Sequence, residues 1–434
     1  MQGDTHNFNF RLNITSSAIF LLGIASLLPW NVFITANDYW MYKFRTINDT
    51  TGSSVNTTVS SETLLNNTFP EQNEIQRFFG AYQSITSNVV FIFTLGLNAL
   101  VSKRVSSNAR IVYPLIATIA MLTLITILAK VNTDSEQVAF LLATLIIVAL
   151  VNAMVGFLMG ASMGVCGYLP SRYITVCSLG QATGGLVTCA LQVGVLIMGL
   201  GHQDTALLYF SAATAIITLT LAAYKAMQHT DFYQHYRCLV TSSTSAFEST
   251  MAGVPYMEIF TKGWPFHVSS FLVYMVTISF FPALTVNALS THYLRGDILT
   301  DKLFVPLACF TVFNVADCVG RYIFGLFQLS SRRTKLLLTL CVARAILIPL
   351  FLICNLSPAN RVHTSVLLNS DVAYVLFMII AGASNGYLCT TAFVHAPKTV
   401  AIEHQEVAAE ITSFLSGFGS AVGSVLSYGV LRLL

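Results

Sequence analysis

Apolar residues run through this chain in eleven stretches, each near the roughly 20 residues that a helix needs to cross a bilayer core, with short polar intervals between them. The stretches cover about 16–39, 77–101, 111–131, 138–167, 175–200, 205–227, 264–290, 302–329, 335–355, 371–394 and 408–431. None alternates with the period of two that a lipid-facing barrel strand requires, so the pattern predicts an all-α integral membrane protein of eleven spans. Two polar intervals are long. Residues 40–76 follow the first span, and residues 228–262 divide six spans (1–227) from five (263–434). A six-plus-five division suggests two helical bundles that rock against each other around a site near the midplane, joined by a flexible tether.

Composition strengthens this picture. Hydrophobic residues make up 55% of the chain and charged residues 9%, with a mean hydropathy of +0.69. Soluble domains carry roughly 25% charged residues. The first apolar run is too long for a signal-peptide core and lacks a small-residue cleavage site, so a retained span is expected. The nine cysteines fall in apolar segments, apart from Cys238 in the linker, and read as packing residues rather than a disulfide framework.

Charge sets the expected orientation. With the N-terminus in the cytosol, twelve Lys and Arg fall inside and eight outside, a moderate positive-inside bias. The loop at 40–76 supports the same orientation, because it is rich in Ser, Thr and Asn and carries glycosylation sequons at Asn48, Asn56 and Asn66. Asn13 also matches a sequon but would face the cytosol. An odd number of spans places the C-terminus outside. The plasma membrane is the expected compartment, since the N-terminal residues hold no acidic dileucine signal; an endosomal or lysosomal membrane is the alternative.

No Walker loop, HExxH or strand-following GxGxxG is present, so neither an enzyme nor an ATP-driven pump is expected, and no cofactor or metal site. The informative groups are the ionisable residues inside spans, each costing roughly 2.5–3.5 kcal/mol at a helix centre unless it has a partner. Three stand well inside: Asp317, Arg321 and Arg344. Asp317 and Arg321 in "FNVADCVGRYIFG" are four residues apart and share a helix face, with Asn314 one turn earlier. A carboxylate accepts from hydroxyls and a guanidinium donates to oxygens, so the pair fits a neutral polyol. Arg344 has no polar sequence neighbour and is assigned a structural or gating role. In the first span, "LLPWNVF" sets Pro29, Trp30 and Asn31 side by side, predicting a kink that frees a carbonyl for Asn31 or water. Small-residue runs in "GFLMGASMGVCG", "GQATGG" and "GFGSAVG" predict close helix packing.

With "LLPWN", "FNVADCVGR", "GYLPSRY", "GQATGG", "FPALTV", "ARAILIPLFLICN", "SNGYL" and "PKTV" in order along nearly its full length, the chain resembles the equilibrative nucleoside transporters. The resemblance implies a major-facilitator-like arrangement of six plus five helices around a central cavity. It also implies facilitative, sodium-independent transport of nucleosides such as adenosine and uridine by alternating access. On matching positions, Trp30 flanks the base, with Leu27 and Ile34 on its side of the cavity; Asp317 and Arg321 hold the ribose hydroxyls with support from Asn314; Phe281 lines the pocket. Met159 stands where many nucleoside-selective members carry a base-contacting Gln. Gln181 stands where the cation-carrying branch has a Glu, which weakens a monoamine reading. A broader carrier of nucleobases or organic cations, possibly proton-linked through Asp317, is the alternative. The expected partners are the small-molecule solute and the lipid bilayer, with no nucleic acid, and the chain is expected to act as a monomer.

Overall fold

The computed structural model describes residues 14–46, 73–248, 254–293, 297–301, 303–356 and 365–432. The expected glycosylation sites Asn48, Asn56 and Asn66 lie outside the described residues. Eleven helices among the described residues are long and apolar enough to cross a membrane. Spans 1 to 6 are Ile14–Thr35, Tyr82–Val101, Ser107–Lys130, Asp134–Tyr168, Ser171–Met198 and His202–Gln228. Spans 7 to 11 are Tyr256–Asn287, Val305–Leu326, Thr334–Leu352, Asp371–Thr399 and Ile402–Arg432. Each matches an expected stretch to within a few residues, except that span 7 begins inside the expected linker. The linker also departs from a flexible tether: Asp231–Glu248 is helical, and Phe232, Tyr233 and Tyr236 pack against the core of the first six spans.

Local chemistry sets the helix ends. The Asn73 side chain accepts from the Gln76 amide while the Gln76 side chain accepts from the Asn73 amide, which starts the span 2 helix. Hydroxyls of Ser106 and Ser370 cap spans 3 and 10 by accepting from the Ala109 and Ala373 amides. Gly199 closes span 5 in the left-handed conformation (φ 63°).

Span 1 breaks where expected, into Ile14–Ala25 and Leu28–Thr35, with Pro29 in the first turn of its second half. A polar group that the sequence did not single out lies at the break. Ser26 donates its hydroxyl to the Gly23 carbonyl at 2.8 Å, whereas the Asn31 side chain has no hydrogen-bond partner among the described residues. Ser26 reaches back into its own turn, while Asn31 lies beyond the break. Span 9 is also interrupted, with a tight turn at Arg344–Ile346 between Thr334–Ala343 and Leu347–Leu352.

Spans 1 to 6 pack mainly among themselves, span 1 on 5 and 6, span 4 on 2 and 3, and span 3 on 6. In the second set, span 7 lies along 11 and span 8 along 10. The two sets meet where span 11 crosses 4 and 2, and where span 8 crosses 5. Small residues make the closest approaches possible, as membrane helices require in a solvent as apolar as their own side chains. A Cβ on Gly386 would drive into the Asp317 carbonyl, and one on Gly320 into the Ala383 carbonyl. These two glycines bring spans 8 and 10 together and set Asn385 beside Asp317.

Candidate functional site between spans 5, 8 and 10

Asp317 and Arg321 project from one face of span 8 toward span 5, only 4% and 3% exposed. Arg321 Nε donates to Asp317 Oδ2 at 2.9 Å. Its Nη1 crosses between the helix sets to the Ser178 carbonyl (2.9 Å) and hydroxyl (2.5 Å) on span 5. Asn385 Nδ2 donates to the other carboxylate oxygen, Oδ1, at 2.7 Å. Each Asp317 oxygen therefore keeps one further lone-pair direction, and Arg321 Nη2 has no partner among the described residues. Two acceptors beside a free guanidinium edge fit a pair of neighbouring hydroxyls.

The other predicted residues make contacts of their own. Asn314 donates to the Phe310 carbonyl (2.9 Å) and lies 3.6 Å from Cys189 Sγ, with Gly185 of span 5 leaving room for its side-chain oxygen. Gln181 lies between Ser178 and Gly185 along span 5, with its backbone beside Gly23 of span 1; it is 1% exposed, and neither polar atom of its carboxamide has a partner among the described residues. Leaving such groups unsatisfied costs about 1–3 kcal/mol each, so a ligand that bonds them recovers that cost. Phe281 stacks on Phe313 at 4.0 Å and meets Phe310 edge-on at 5.7 Å. Leu27 and Trp30, three residues apart on one side of span 1, are half-buried, and the Trp30 indole N–H donates to nothing among the described residues. Ile34 lies at the end of span 1 and is 43% exposed. Met159 is buried in span 4.

Two sets of residues, and the polar surroundings of Arg344, escaped the sequence reading. Ser178 and Asn385 bind the pair directly, and only the motif "SNGYL" pointed to the second. Arg344 is not apolar in its surroundings: it donates to Ser384, Thr277 and the Val273 and Ala381 carbonyls. Asp317 is also not the only buried carboxylate. Toward the face that carries the linker helix, Arg110 of span 3 donates to Glu406 (2.5 Å) and to Glu410 of span 11, and to Asn98 at 2.9 Å. Ser107 Oγ donates to Glu406 at 2.7 Å, and Lys103 Nζ to the Glu403 carbonyl at 2.6 Å. The sequence placed Arg110 in a loop and Glu410 at a span edge; folding buries both at the contact of the two helix sets.

Among the described residues, every hydrogen bond between the two sets lies at the level of Asn314 or nearer the linker face. Toward the linker face the two sets are thus tied together by an ionic cluster. Two surface hollows, of about 290 Å³ beside Glu258, Lys262, Glu403 and His404 and about 440 Å³ beside Asn73, Asp134 and Gln137, do not reach the Asp317 site.

Comparison with solved structures places the fold. The chain superposes on the proton:xylose symporter XylE with a TM-score of 0.58 at 11% identity, over 95% of this chain and 86% of that one. The outward conformation of FucP gives a TM-score of 0.54 at 10% identity, over 97% and 95%. Both are major facilitator superfamily transporters, and the eleven spans adopt that fold in a six-plus-five arrangement. In sequence, the chain is 28% identical to equilibrative nucleoside transporter 3 of Rattus norvegicus over 95% of this chain and 88% of the relative. It is 26% identical to human equilibrative nucleoside transporter 1 over 94% and 95%. The family model described as nucleoside transporter matches residues 145–252 and 239–432, well over half of the chain. The chain therefore belongs to the nucleoside transporter family.

Proposed function

We propose that this chain carries nucleosides down their concentration gradient by alternating access, with the ribose held by Asp317 and Arg321 and the base lying toward Trp30 and Phe281. The observation that carries the reading is the buried carboxylate–guanidinium pair, each member with bonding capacity left over, against span 5 at Ser178, one turn from the unpartnered carboxamide of Gln181. Asn314 braces the same face from one turn away. Met159 packs against a base but reads its edge poorly, so Gln181 takes more of that role.

Facilitated rather than ion-driven transport is supported by charge pairing. Asp317 faces Arg321, and Glu406 and Glu410 face Arg110, so each of these three buried acids has an arginine as its counterion, and none is left as a cage for sodium or an organic cation. The two helix sets would move as bodies about the site, opening the linker face when the Arg110 cluster parts. Positive-charge bias and the sequons of the 40–76 loop favour a cytosolic linker face in the plasma membrane, with the carrier acting as a monomer.

Purified protein in liposomes tests this reading. Uridine and adenosine should exchange in counterflow, indifferent to sodium and little changed between two pH values. Stronger competition by monoamines than by inosine, or a requirement for sodium, would overturn it.

A further inference from the structure

Arg344 is a buried cation without a carboxylate at hydrogen-bonding distance. It is 5% exposed, and its bonds go to neutral oxygens: Nε to Ser384 Oγ (2.9 Å), Nη1 to the Val273 carbonyl (3.0 Å), and Nη2 to Thr277 Oγ1 (2.8 Å) and the Ala381 carbonyl (3.2 Å). A buried charge with only neutral partners is costly. From Thr277 the bonds continue inward. Thr277 Oγ1 lies 2.8 Å from Asn385 Oδ1, and Asn385 Nδ2 lies 2.7 Å from Asp317 Oδ1.

The direction of every bond in this chain is fixed by its ends. A guanidinium only donates, so Thr277 must accept from Arg344 and has one proton left to give. A carboxylate only accepts, so Asn385 must turn its NH2 to Asp317 and its carbonyl oxygen to Thr277. The Thr277 hydroxyl also lies 2.8 Å from the Val273 carbonyl, but that oxygen already receives Arg344, whereas Asn385 Oδ1 would otherwise be buried without a donor. The relay crosses spans 9, 7, 10 and 8 and ends on the carboxylate oxygen that Arg321 leaves unbonded.

We infer that Arg344 is a positioning residue for solute recognition, acting through Thr277 and Asn385 to fix the rotation of the Asp317 carboxylate and keep its charge fully available to the solute's hydroxyls. Arg321 alone holds one oxygen and leaves the carboxylate free to turn about χ2. The Asn385 bond on the second oxygen removes that freedom, and Arg344 fixes the amide that makes it. The tight turn at Arg344–Ile346 serves this arrangement, because it is at this interruption of span 9 that the guanidinium reaches spans 7 and 10 together. The inference rests on the reading that Asp317 takes ribose hydroxyls.

A solute without those hydroxyls separates positioning from mere support of the fold. Thr277→Val keeps the shape and branching of the side chain but cuts the relay on both sides, and Thr277→Ser restores it. In cells with matched surface expression, Thr277→Val should raise the KM for uridine about tenfold, the factor expected for one misaligned hydrogen bond, and leave uptake of 2′,3′-dideoxyuridine unchanged. Thr277→Ser should recover the parent KM, and Thr277→Val should add little to the loss in an Asp317→Asn background. Equal loss of both solutes through Vmax, or no change in either, would overturn the inference. Asp317→Asn run alongside tests the underlying reading: if it affects uridine and dideoxyuridine alike, the ribose assignment fails; if it affects only uridine and Thr277→Val does not, the relay alone fails. Should Thr277→Val not reach the membrane, Arg344→Gln must give the same split between the two solutes.

Discussion

Replacing Arg110 by methionine tests the ionic cluster at the linker face. Arg110, Glu406 and Glu410 have side chains only 2%, 9% and 0% exposed, and the arginine is the partner of both carboxylates. Arg110→Met keeps most of the side-chain volume but leaves two buried acids facing each other without a cation. Breaking a buried ion pair from one side costs about 3–5 kcal/mol, and here two acids lose their partner. The cost applies to the closed linker face; once that face opens, water reaches both acids. The closed-to-open ratio should therefore fall by a factor of roughly 10² to 4 × 10³. Met159 lies deeper in span 4 than Gly164, which abuts Glu410, so a cysteine at 159 reports the opening. In a background without reactive native cysteines, Met159→Cys should label slowly from the linker face and much faster once Arg110→Met is added, while uptake falls. Adding Glu406→Gln and Glu410→Gln should restore protection, because the uncompensated charges are then gone. Labelling and uptake like the parent in Arg110→Met would refute this reasoning. A sharp gel-filtration peak for each variant separates opening from misfolding.

Three further outcomes are expected. Met159→Gln should sharpen base discrimination by up to about tenfold, since a carboxamide reads a base edge that a thioether cannot; an unchanged ratio of adenosine to uridine uptake counts against Met159 lying near the base. Gly386→Ala should destabilise the protein by about 1–3 kcal/mol and lower its melting temperature in detergent, because the added methyl meets the Asp317 carbonyl; a melting temperature at the parent value would show that spans 8 and 10 are less closely packed. Removing the sequons together (Asn48→Gln, Asn56→Gln, Asn66→Gln) should abolish a glycosidase-sensitive mass shift at the cell surface, whereas a parent with no such shift would contradict the assigned orientation.

Much of the fold could be read from hydrophobic run length, because only a helix satisfies its own backbone in lipid and about 20 apolar residues are needed to cross. All eleven spans follow from that constraint. The Asp317–Arg321 pair was equally legible, since helical spacing places i and i+4 on one face. What escaped was anything set by contacts between distant spans. Ser178 and Asn385 are ordinary polar residues in the sequence; the first gains meaning only where span 5 meets span 8, the second only when Gly386 lets span 10 approach span 8. Arg110, Glu406 and Glu410 fall near span ends, where charge is cheap and sequence offers no reason to single them out. Arg344 has apolar neighbours along the chain but polar ones from spans 7 and 10, which no local pattern contains. The break in span 1 was readable from Pro29, while the hydroxyl beside it, Ser26 on the Gly23 carbonyl, was not singled out because a lone serine in an apolar run carries no pattern.

The central claim is that the Asp317–Arg321 pair holds the transported nucleoside. The most direct measurement is initial-rate uridine uptake by Asp317→Ala and Arg321→Ala in cells whose surface expression is matched to the parent. Near-complete loss of saturable uptake in both variants is the predicted result, and parent-like uridine and adenosine uptake in either would contradict the account.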